Sequence, residues 1–350
     1  MQPKRIAAAL LAGAMAFTLA ACTPSPGGAS PAPGASGAPV KATTFRLAFN
    51  QTEQHPQYIA AENLGKKLSD ATGGRYTIEV FANETLGTQA DVVQNVSDGS
   101  VEMMYIGGPV MESFNQDFIV FNLPYMFASQ EAQAAVFADE ATMGKLKTSI
   151  EDSKSITVLG ALHAGVRNVY AKKAVRTPAD MGGMKVRVQQ SDSQVKMLNL
   201  MGGVASPMGQ GEVYTALQSG VLDGAENNET VYNALKHDEV AKFYSFTQHL
   251  AIPDYLLMSS DALEKMPAAD REALLRLIPE TIEEANTGFL KFAADSRAKS
   301  EANGATFVTD VDTAAFRARV EPLVKESINN PVRQALYDAV QKANQAHPAK

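Results

Sequence analysis

Strand patterns and helix patterns alternate between residues 44 and 106, and this alternation constrains the fold more than any other feature of the chain. Residues 44–49 alternate in polarity as a strand does. A helix pattern then begins at His55-Pro56 and ends before Gly73-Gly74. A strand, a helix and another strand follow at residues 76–81, 88–97 and 101–106. This order is typical of a mainly parallel sheet with crossover helices, so we expect an α/β fold.

A long helical pattern covers residues 268–302 and bears on how the chain is divided into domains. It is interrupted only by Pro279, which should kink the helix. A continuous helix over this range would be about 52 Å long, which is longer than one ordinary domain. The last part of the chain also has helical patterns, with Glu321-Pro322 and Asn330-Pro331 as expected helix starts.

The composition indicates a globular chain. The 350 residues allow two domains, and 45% of them are hydrophobic. The formal net charge is −7 and no basic patch is visible, which argues against a nucleic-acid partner.

No catalytic or cofactor motif is present in the sequence. It has no H-E-x-x-H, G-x-S-x-G, Walker A or G-x-G-x-x-G motif, and its five histidines are not spaced as metal pairs. His237-Asp238-Glu239 is interpreted as a solvated helix end. We therefore expect no metal, no cofactor and no enzymatic activity.

The N-terminal region is typical of an exported protein. Lys4-Arg5 precede an apolar run at residues 6–20, and Leu19-Ala20-Ala21-Cys22 resembles a bacterial lipobox. Cys22 is the only cysteine, which favours a lipoprotein signal peptide at residues 1–21 over an ordinary one, with Cys22 as the lipid attachment site. Residues 22–42 are rich in Pro, Gly, Ala and Ser and should form a disordered tether.

Three polar residues stand out between residues 161 and 228. Arg167 and Arg187 lie in short β-prone runs, and Asn227 follows a third such run after Asp223-Gly224. Open α/β sheets present ligand-binding groups near strand ends, and the planar guanidinium group suits a carboxylate. The alternative for any single arginine is a surface ion pair.

The same region resembles the substrate-binding proteins of tripartite ATP-independent periplasmic (TRAP) transporters. The matching segments are GVRNVYAKKAV, TPADMGGMKVRV, GGVASPM, GEVYTALQSGVLDGAEN and VAKFYSFTQH, in this order. The resemblance implies a two-lobed periplasmic-binding-protein fold with a ligand cleft and a long helix that spans both lobes. Residues 43–164 and 253–292 would form lobe I, and residues 165–252 and 293–350 would form lobe II.

The resemblance also implies roles for individual residues. Arg187 matches the arginine that forms a two-pronged salt bridge to the ligand carboxylate. Asn227 matches the asparagine that steadies this carboxylate, and Arg167 matches a second arginine at the pocket edge.

The segments VRVQQSD and DGAENN are most similar to members that bind sugar acids such as glucuronate and galacturonate. In that interpretation His55 and Asn50 line the pocket from lobe I, and Gln189 lies beside Arg187. For His55 the alternative is a helix-start residue that faces water.

Two positions depart from the family pattern. Gln210 stands where a phenylalanine usually packs against the ligand, and Gln89 stands where sugar-acid binders tend to carry glutamate for hydroxyl groups. Both departures affect the choice of ligand rather than the carboxylate anchor.

The function implied is capture of a small organic acid outside the cytoplasm, by a protein with a lipid anchor in the membrane, for the TRAP membrane subunits. Alternatives are a ligand sensor for a sensor kinase, or a binder of keto acids or C4-dicarboxylates. An extracellular hydrolase is disfavoured, because the sequence has no nucleophile motif and no metal motif.

Overall fold

The computed structural model describes residues 42–349. The signal peptide, the lipid attachment site Cys22 and all but the last residue of the tether lie outside the described residues. Among the helices of residues 42–349, none combines the length and the apolar character needed to cross a bilayer.

Eleven strands occur in the described part of the chain. In chain order they are β1 (Thr43–Ala48), β2 (Tyr76–Phe81), β3 (Met103–Gly107), β4 (Ile156–His163), β5 (Arg167–Ala171), β6 (Lys185–Val188), β7 (Val204–Pro207), β8 (Gly224–Asn227), β9 (Phe243–Leu250), β10 (Pro253–Ser259) and β11 (Thr306–Val308).

The strands form two mixed sheets. The first has the order β2-β1-β3-β10-β4, and the second has the order β11-β9-β5-β8-β6-β7. In the first sheet β1 is parallel to β2 and β3, whereas β10 is antiparallel to β3 and β4. In the second sheet β5 is antiparallel to both β8 and β9. Four of the five strands in the first sheet and five of the six in the second run in one direction, so the predicted mainly parallel arrangement is confirmed. The exceptions, β10 and β5, belong to segments that return from the other sheet and run in the opposite direction.

Thirteen α-helices cover these sheets within residues 42–349. They are α1 (Pro56–Ala71), α2 (Gln89–Ser97), α3 (Gly108–Met111), α4 (Gln130–Ala138), α5 (Glu140–Lys154), α6 (Asp192–Met201), α7 (Val213–Ser219), α8 (Glu229–Ala234), α9 (His237–Val240), α10 (Ser260–Glu264), α11 (Ala268–Ala302), α12 (Thr313–Ser327) and α13 (Pro331–Ala346). Short 3-10 helices lie at Gln116–Asn122 and Pro178–Met181.

The helix α11 connects the two halves of the fold. It packs on α1 and β4 at the first sheet and on α8 at the second sheet. Pro279 lies inside this helix without ending it. The expected α/β architecture with two lobes, a cleft and a helix spanning both lobes is confirmed.

Two further crossings between the sheets are short. Residues 164–166 connect β4 to β5, and residues 251–252 connect β9 to β10. Gly165 in the first crossing has φ +69°, and a Cβ atom there would lie 2.8 Å from the ring of Phe289. Glycine is needed at this position because a side chain would be strained by the backbone and would collide with α11.

The C-terminal helices differ from expectation in two respects. The helix α12 begins after its N-cap Asp312, so Pro322 lies inside it and the expected helix start at Glu321-Pro322 is wrong. The start at Asn330-Pro331 agrees with α13, where Asn330 caps the helix. The sequence assigned this last helix to lobe II, but α13 packs on α4 and α5, which cover the first sheet. The other lobe boundaries stay a prediction.

Candidate functional site

One enclosed cavity brings together most of the residues predicted from the sequence. Seven of the eight predicted ligand-binding residues line it, namely Asn50, His55, Gln89, Arg167, Gln189, Gln210 and Asn227. The eighth, Arg187, does not line the cavity and contacts the lining residue Gln210. Both sheets and α11 contribute to the lining, through residues such as Asp254 and Phe289. The volume is about 20 Å³, which is room for one or two water molecules.

The first of the two arginines is paired with a glutamate inside the protein. Arg167 on β5 donates from Nε to Glu226 Oε2 at 2.6 Å and from Nη2 to Oε1 at 2.7 Å. Glu226 opposes Val169 in the β5–β8 ladder. Arg167 is two residues from Val169 and shares its face of the sheet, so the long side chains meet diagonally across the ladder. Arg167 lines the cavity and at the same time forms this buried ion pair, so its role as a second arginine at the pocket edge stays a prediction.

Each member of this ion pair stabilises the ionised form of the other. Burial alone would raise the pKa of Glu226, but attraction to Arg167 and hydrogen bonds from His249 and Arg167 lower it to about 2. Burial lowers the pKa of Arg167, but Glu226 outweighs this effect and the net direction is upward. Both groups are therefore ionised at neutral pH. His249 Nε2 lies 3.4 Å from Glu226 Oε2.

The orientation of the Asn227 amide follows from its neighbours. Asn227 Oδ1 accepts hydrogen bonds from Arg167 Nη1 at 2.9 Å and from the Asn228 backbone N–H at 3.0 Å. Two donors on one atom identify this atom as the oxygen. Nδ2 is then the group that can donate to an anion in the cavity.

The second arginine has no acidic partner. Arg187 on β6 is as buried as Arg167, with 4% and 3% of their surfaces exposed. It donates from Nε and Nη2 to the Met208 carbonyl oxygen at 3.0 and 2.8 Å, and from Nη1 to Gln210 Oε1 at 3.3 Å. Among residues 42–349, no carboxylate lies within 4.0 Å of its guanidinium group. Burial accordingly lowers the pKa of Arg187.

Gln210 connects Arg187 to the cavity. Its Oε1 accepts the weak contact from Arg187, and its Nε2 is buried without a hydrogen-bond partner. The backbone around it is held by Glu84, whose carboxylate accepts from the N–H groups of Gln210 at 3.2 Å and Gly211 at 2.8 Å. Glu84 follows a strand of the first sheet, so this contact closes the cleft.

Two further glutamines meet at the end of β3. Gln89 Oε1 accepts from the Gly107 N–H at 3.3 Å. A Cβ atom on Gly107 would lie 2.5 Å from Gln189 Nε2. The glycine therefore admits both side chains, and Gln189 Oε1 is buried without a partner. This corner of the cavity offers an amide oxygen that is free to accept a hydrogen bond.

His55 is a helix cap and a cavity residue at once. Its Nδ1 accepts from the Gln57 N–H at 3.2 Å, and it is buried against Phe49, Phe289 and Phe292. The alternative is therefore right that His55 lies at a helix start, but wrong that it faces water. Burial lowers the pKa of His55 to about 3. The ring is neutral, and because Nδ1 accepts, Nε2–H is a donor.

Asp254 is a cavity residue that the sequence interpretation missed. It is the second residue of β10, and its Oδ2 accepts from Gln57 Nε2 at 2.9 Å. Burial raises the pKa of Asp254 to about 6. Asp254 stands at the start of a strand in PDYLLMSS, and it lies at the ligand-binding edge only because β10 runs antiparallel to β3 and meets its carboxyl end. For Glu226 no sequence signal exists, since only the strand register pairs it with Arg167.

His237 and Asp238 form a buried polar group in the second lobe, so their interpretation as a solvated helix end is wrong. His237 Nδ1 lies 2.7 Å from the Tyr170 hydroxyl. Asp238 Oδ2 accepts from Asn233, Ser300 and Asn303. These contacts join α9 to α11, so the group is structural. In the described residues, no three His, Cys, Asp or Glu side chains are arranged to hold a metal ion.

Comparison with known proteins identifies the class. Residues 47–330 match the family model of the bacterial extracellular solute-binding proteins, family 7. The chain therefore belongs to this family, the DctP family. It is a DctP-family TRAP solute-binding protein.

Solved structures and curated relatives agree with this assignment. A TRAP periplasmic solute-binding protein from Anaerococcus prevotii, with bound D-glucuronate, is 36% identical with a TM-score of 0.85, covering 88% of this chain and 100% of its own. One from Xanthobacter autotrophicus Py2, with bound β-D-galacturonate, is 29% identical with a TM-score of 0.82, covering 85% and 99%. The C4-dicarboxylate-binding periplasmic protein DctP of Vibrio cholerae is 30% identical, covering 67% and 70%.

Proposed function

We propose that this protein captures a sugar acid, such as D-glucuronate or D-galacturonate, outside the cytoplasm and delivers it to TRAP membrane subunits. The observation that carries the proposal is Arg187, a buried guanidinium group without a carboxylate partner among the described residues. A buried charge is costly unless it is paired. A ligand carboxylate supplies the missing partner.

The carboxylate is held by donors from two strands. Arg187 offers the planar fork that suits a carboxylate, and Asn227 offers Nδ2 from the end of β8. Gln210 Oε1 accepts a hydrogen bond from Arg187 Nη1 at 3.3 Å. This distance is long for a charged donor, so the bond is weak. We expect a ligand oxygen to displace it. Arg167 acts by fixing Asn227 rather than by contributing net charge, because Glu226 neutralises it.

The remaining groups in the cavity suit hydroxyl groups. Gln189, Gln210 and Gln89 are neutral amides, and His55 presents a neutral imidazole with a donor at Nε2. Neutral donors and acceptors bind hydroxyl groups without requiring a second charge. The relatives with bound glucuronate and galacturonate support this choice of ligand.

Ligand entry requires the cleft to open. The cavity of about 20 Å³ is far below the roughly 300 Å³ or more of a typical small-molecule pocket. Contacts such as that of Glu84 with Gln210 and Gly211 hold the cleft closed. We propose that the lobes separate to admit the acid and close around it, which strengthens the ion pair by excluding water.

Lipid anchoring belongs to the same proposal and rests on the sequence at Cys22. A Cys22→Ser variant should leave the membrane fraction, because acyl chains on this residue would be the anchor. Unchanged membrane fractionation would contradict the lipoprotein interpretation. The alternative partner, a sensor kinase, would be distinguished by uptake assays in cells that contain the TRAP membrane subunits.

Calorimetry on the purified soluble part tests the ligand class. The protein should be unfolded and refolded first, to remove any molecule that co-purifies. We expect D-glucuronate or D-galacturonate to bind more tightly than aldonates, keto acids and C4-dicarboxylates. Tightest binding of a C4-dicarboxylate would favour the function of the Vibrio cholerae relative, and binding of no acid by the folded protein would contradict the proposal.

A further inference from the structure

A second unpaired charge lies on the opposite side of the cleft from Arg187. Asp254 stands on β10 of the first sheet, whereas Arg187 stands on β6 of the second. In the described residues, no Lys, Arg or His nitrogen lies within 4.0 Å of the Asp254 carboxylate, and its one side-chain hydrogen bond comes from Gln57. Asp254 and Gln210, the contact of Arg187, line the same cavity.

The backbone neighbours of Asp254 bring no charge to it. Its strand partners are Gly107 on β3 and Leu162 on β4. The guanidinium group of Arg167 also faces this cavity, but Glu226 already neutralises it. The carboxylate of Asp254 is half-buried, lines the cavity and can accept a further hydrogen bond from a ligand there. Its pKa of about 6 leaves it mainly ionised at pH 7.5.

We infer that Asp254 accepts a hydrogen bond from a hydroxyl group of the bound acid and excludes acids that carry a second carboxylate at that place. This inference rests on the proposed function, because it assumes that Arg187 and Asn227 hold the first carboxylate. A hydroxyl group donates a hydrogen bond to Asp254, whereas a second carboxylate offers no proton and repels it. Asp254 is thus a specificity residue that selects hydroxylated monocarboxylates over dicarboxylates.

The variant Asp254→Asn should fold. Asparagine keeps the shape of the side chain and an oxygen for Gln57 Nε2. The Gln57 Oε1 atom is buried without a partner, so the new amide group can donate to it. The control variant is Asp261→Asn on α10, an exposed aspartate whose replacement changes the net charge by the same amount.

The test is calorimetry with D-glucuronate and D-glucarate at pH 7.5. D-glucarate carries a second carboxylate in place of the hemiacetal carbon of the uronate. Wild type and Asp261→Asn should bind the uronate at least about 100-fold more tightly than the glucarate. In Asp254→Asn, uronate binding should weaken about 10- to 100-fold, the usual loss for a hydrogen bond to a charged group. Glucarate binding should not weaken.

Equal affinity of the wild type for the two acids would overturn the inference without any variant. An unchanged ratio of the two affinities in Asp254→Asn would overturn it as well. In both cases D-glucuronate still binds, so the proposed function stands. Failure of the folded wild type to bind any acid would overturn the proposed function, and this inference with it.

Discussion

The two buried arginines of the second sheet have the same exposure and opposite surroundings. Arg167 on β5 forms a bidentate ion pair with Glu226 on the neighbouring strand β8. Arg187 lies on the other side of β8, on β6, and contacts only a carbonyl oxygen and an amide oxygen. The fold thus neutralises one buried cation itself and leaves the other for an anion from outside.

This difference suggests that Arg167 stabilises the fold, whereas Arg187 binds the ligand. Removing one member of a buried ion pair leaves an uncompensated charge, which is strongly destabilising. Removing an unpaired buried charge instead relieves a desolvation cost. Two arginines with the same burial are therefore expected to differ in how much their substitution destabilises the fold.

The largest effect is expected for Arg167→Met. The free energy of unfolding should fall by about 3–5 kcal/mol, because Glu226 is left buried without its cation. The matched variant Arg187→Met should change it by less than about 1 kcal/mol, since the lost contacts to Met208 and Gln210 are offset by removal of the charge. Urea denaturation of both variants measures the difference, and equal losses would remove the distinction between the arginines.

A second effect concerns acid stability. The pKa of Glu226 is about 2 in the folded protein, against about 4.3 when unperturbed. The ion pair therefore stabilises the fold fully above that ordinary value, and this stabilisation is lost as the pH falls towards 2. The loss should be about 2–3 kcal/mol.

Thermal melts between pH 5 and pH 2.5 measure this loss, with Glu226→Gln as the reference. The variant starts from lower stability but should show a shallower decline over that range. A parallel decline in both proteins would show that other carboxyl groups cause the acid sensitivity.

The variant Asn227→Asp tests whether Asn227 binds the same ligand carboxylate as Arg187 while it accepts a hydrogen bond from Arg167. The aspartate keeps an acceptor for Arg167 and replaces the donor Nδ2 by a negatively charged oxygen. Affinity for D-glucuronate should fall by about 1.5–3 kcal/mol at pH 7.5, because the ligand carboxylate loses a donor and meets a like charge. Folding should be retained, as checked by thermal melts. Undiminished binding would place Asn227 outside the carboxylate site.

The smallest effect is expected for Gln210→Phe. This change removes the oxygen that contacts Arg187 and the unpartnered Nε2, and it adds a ring to the cavity. The relative affinity for D-glucuronate and D-galacturonate should shift by about 1 kcal/mol, in line with modest changes of pocket shape. A competition assay with both acids detects such a shift. An identical preference would mean that Gln210 does not contact the sugar.

The sequence predicted the parts of the site that depend on local pattern and family resemblance. Arg187, Asn227 and His55 lie at or near strand ends or helix starts, and each was identified from its own segment. Seven of the eight predicted ligand-binding residues line one cavity.

The partners of these residues could not be predicted in the same way. Glu226 meets Arg167 only because β5 and β8 pair with Val169 opposite Glu226. That register is a tertiary property, and without it the ion pair of Arg167 could not be predicted. Asp254 reaches the cavity because β10 returns antiparallel between β3 and β4, which the expectation of a mainly parallel sheet did not include.

Arg187 is expected to clamp the carboxylate of the ligand, and the variant Arg187→Lys tests this role. Arg187→Lys keeps the positive charge but removes the planar pair of donors. Calorimetry with D-glucuronate at pH 7.5 should show a loss of about 2–5 kcal/mol, or about 30-fold to several thousand-fold. Thermal melts without ligand should change little, because the guanidinium group has no acidic partner in the described fold. Wild-type affinity in a folded Arg187→Lys protein would mean that Arg187 does not clamp the ligand carboxylate.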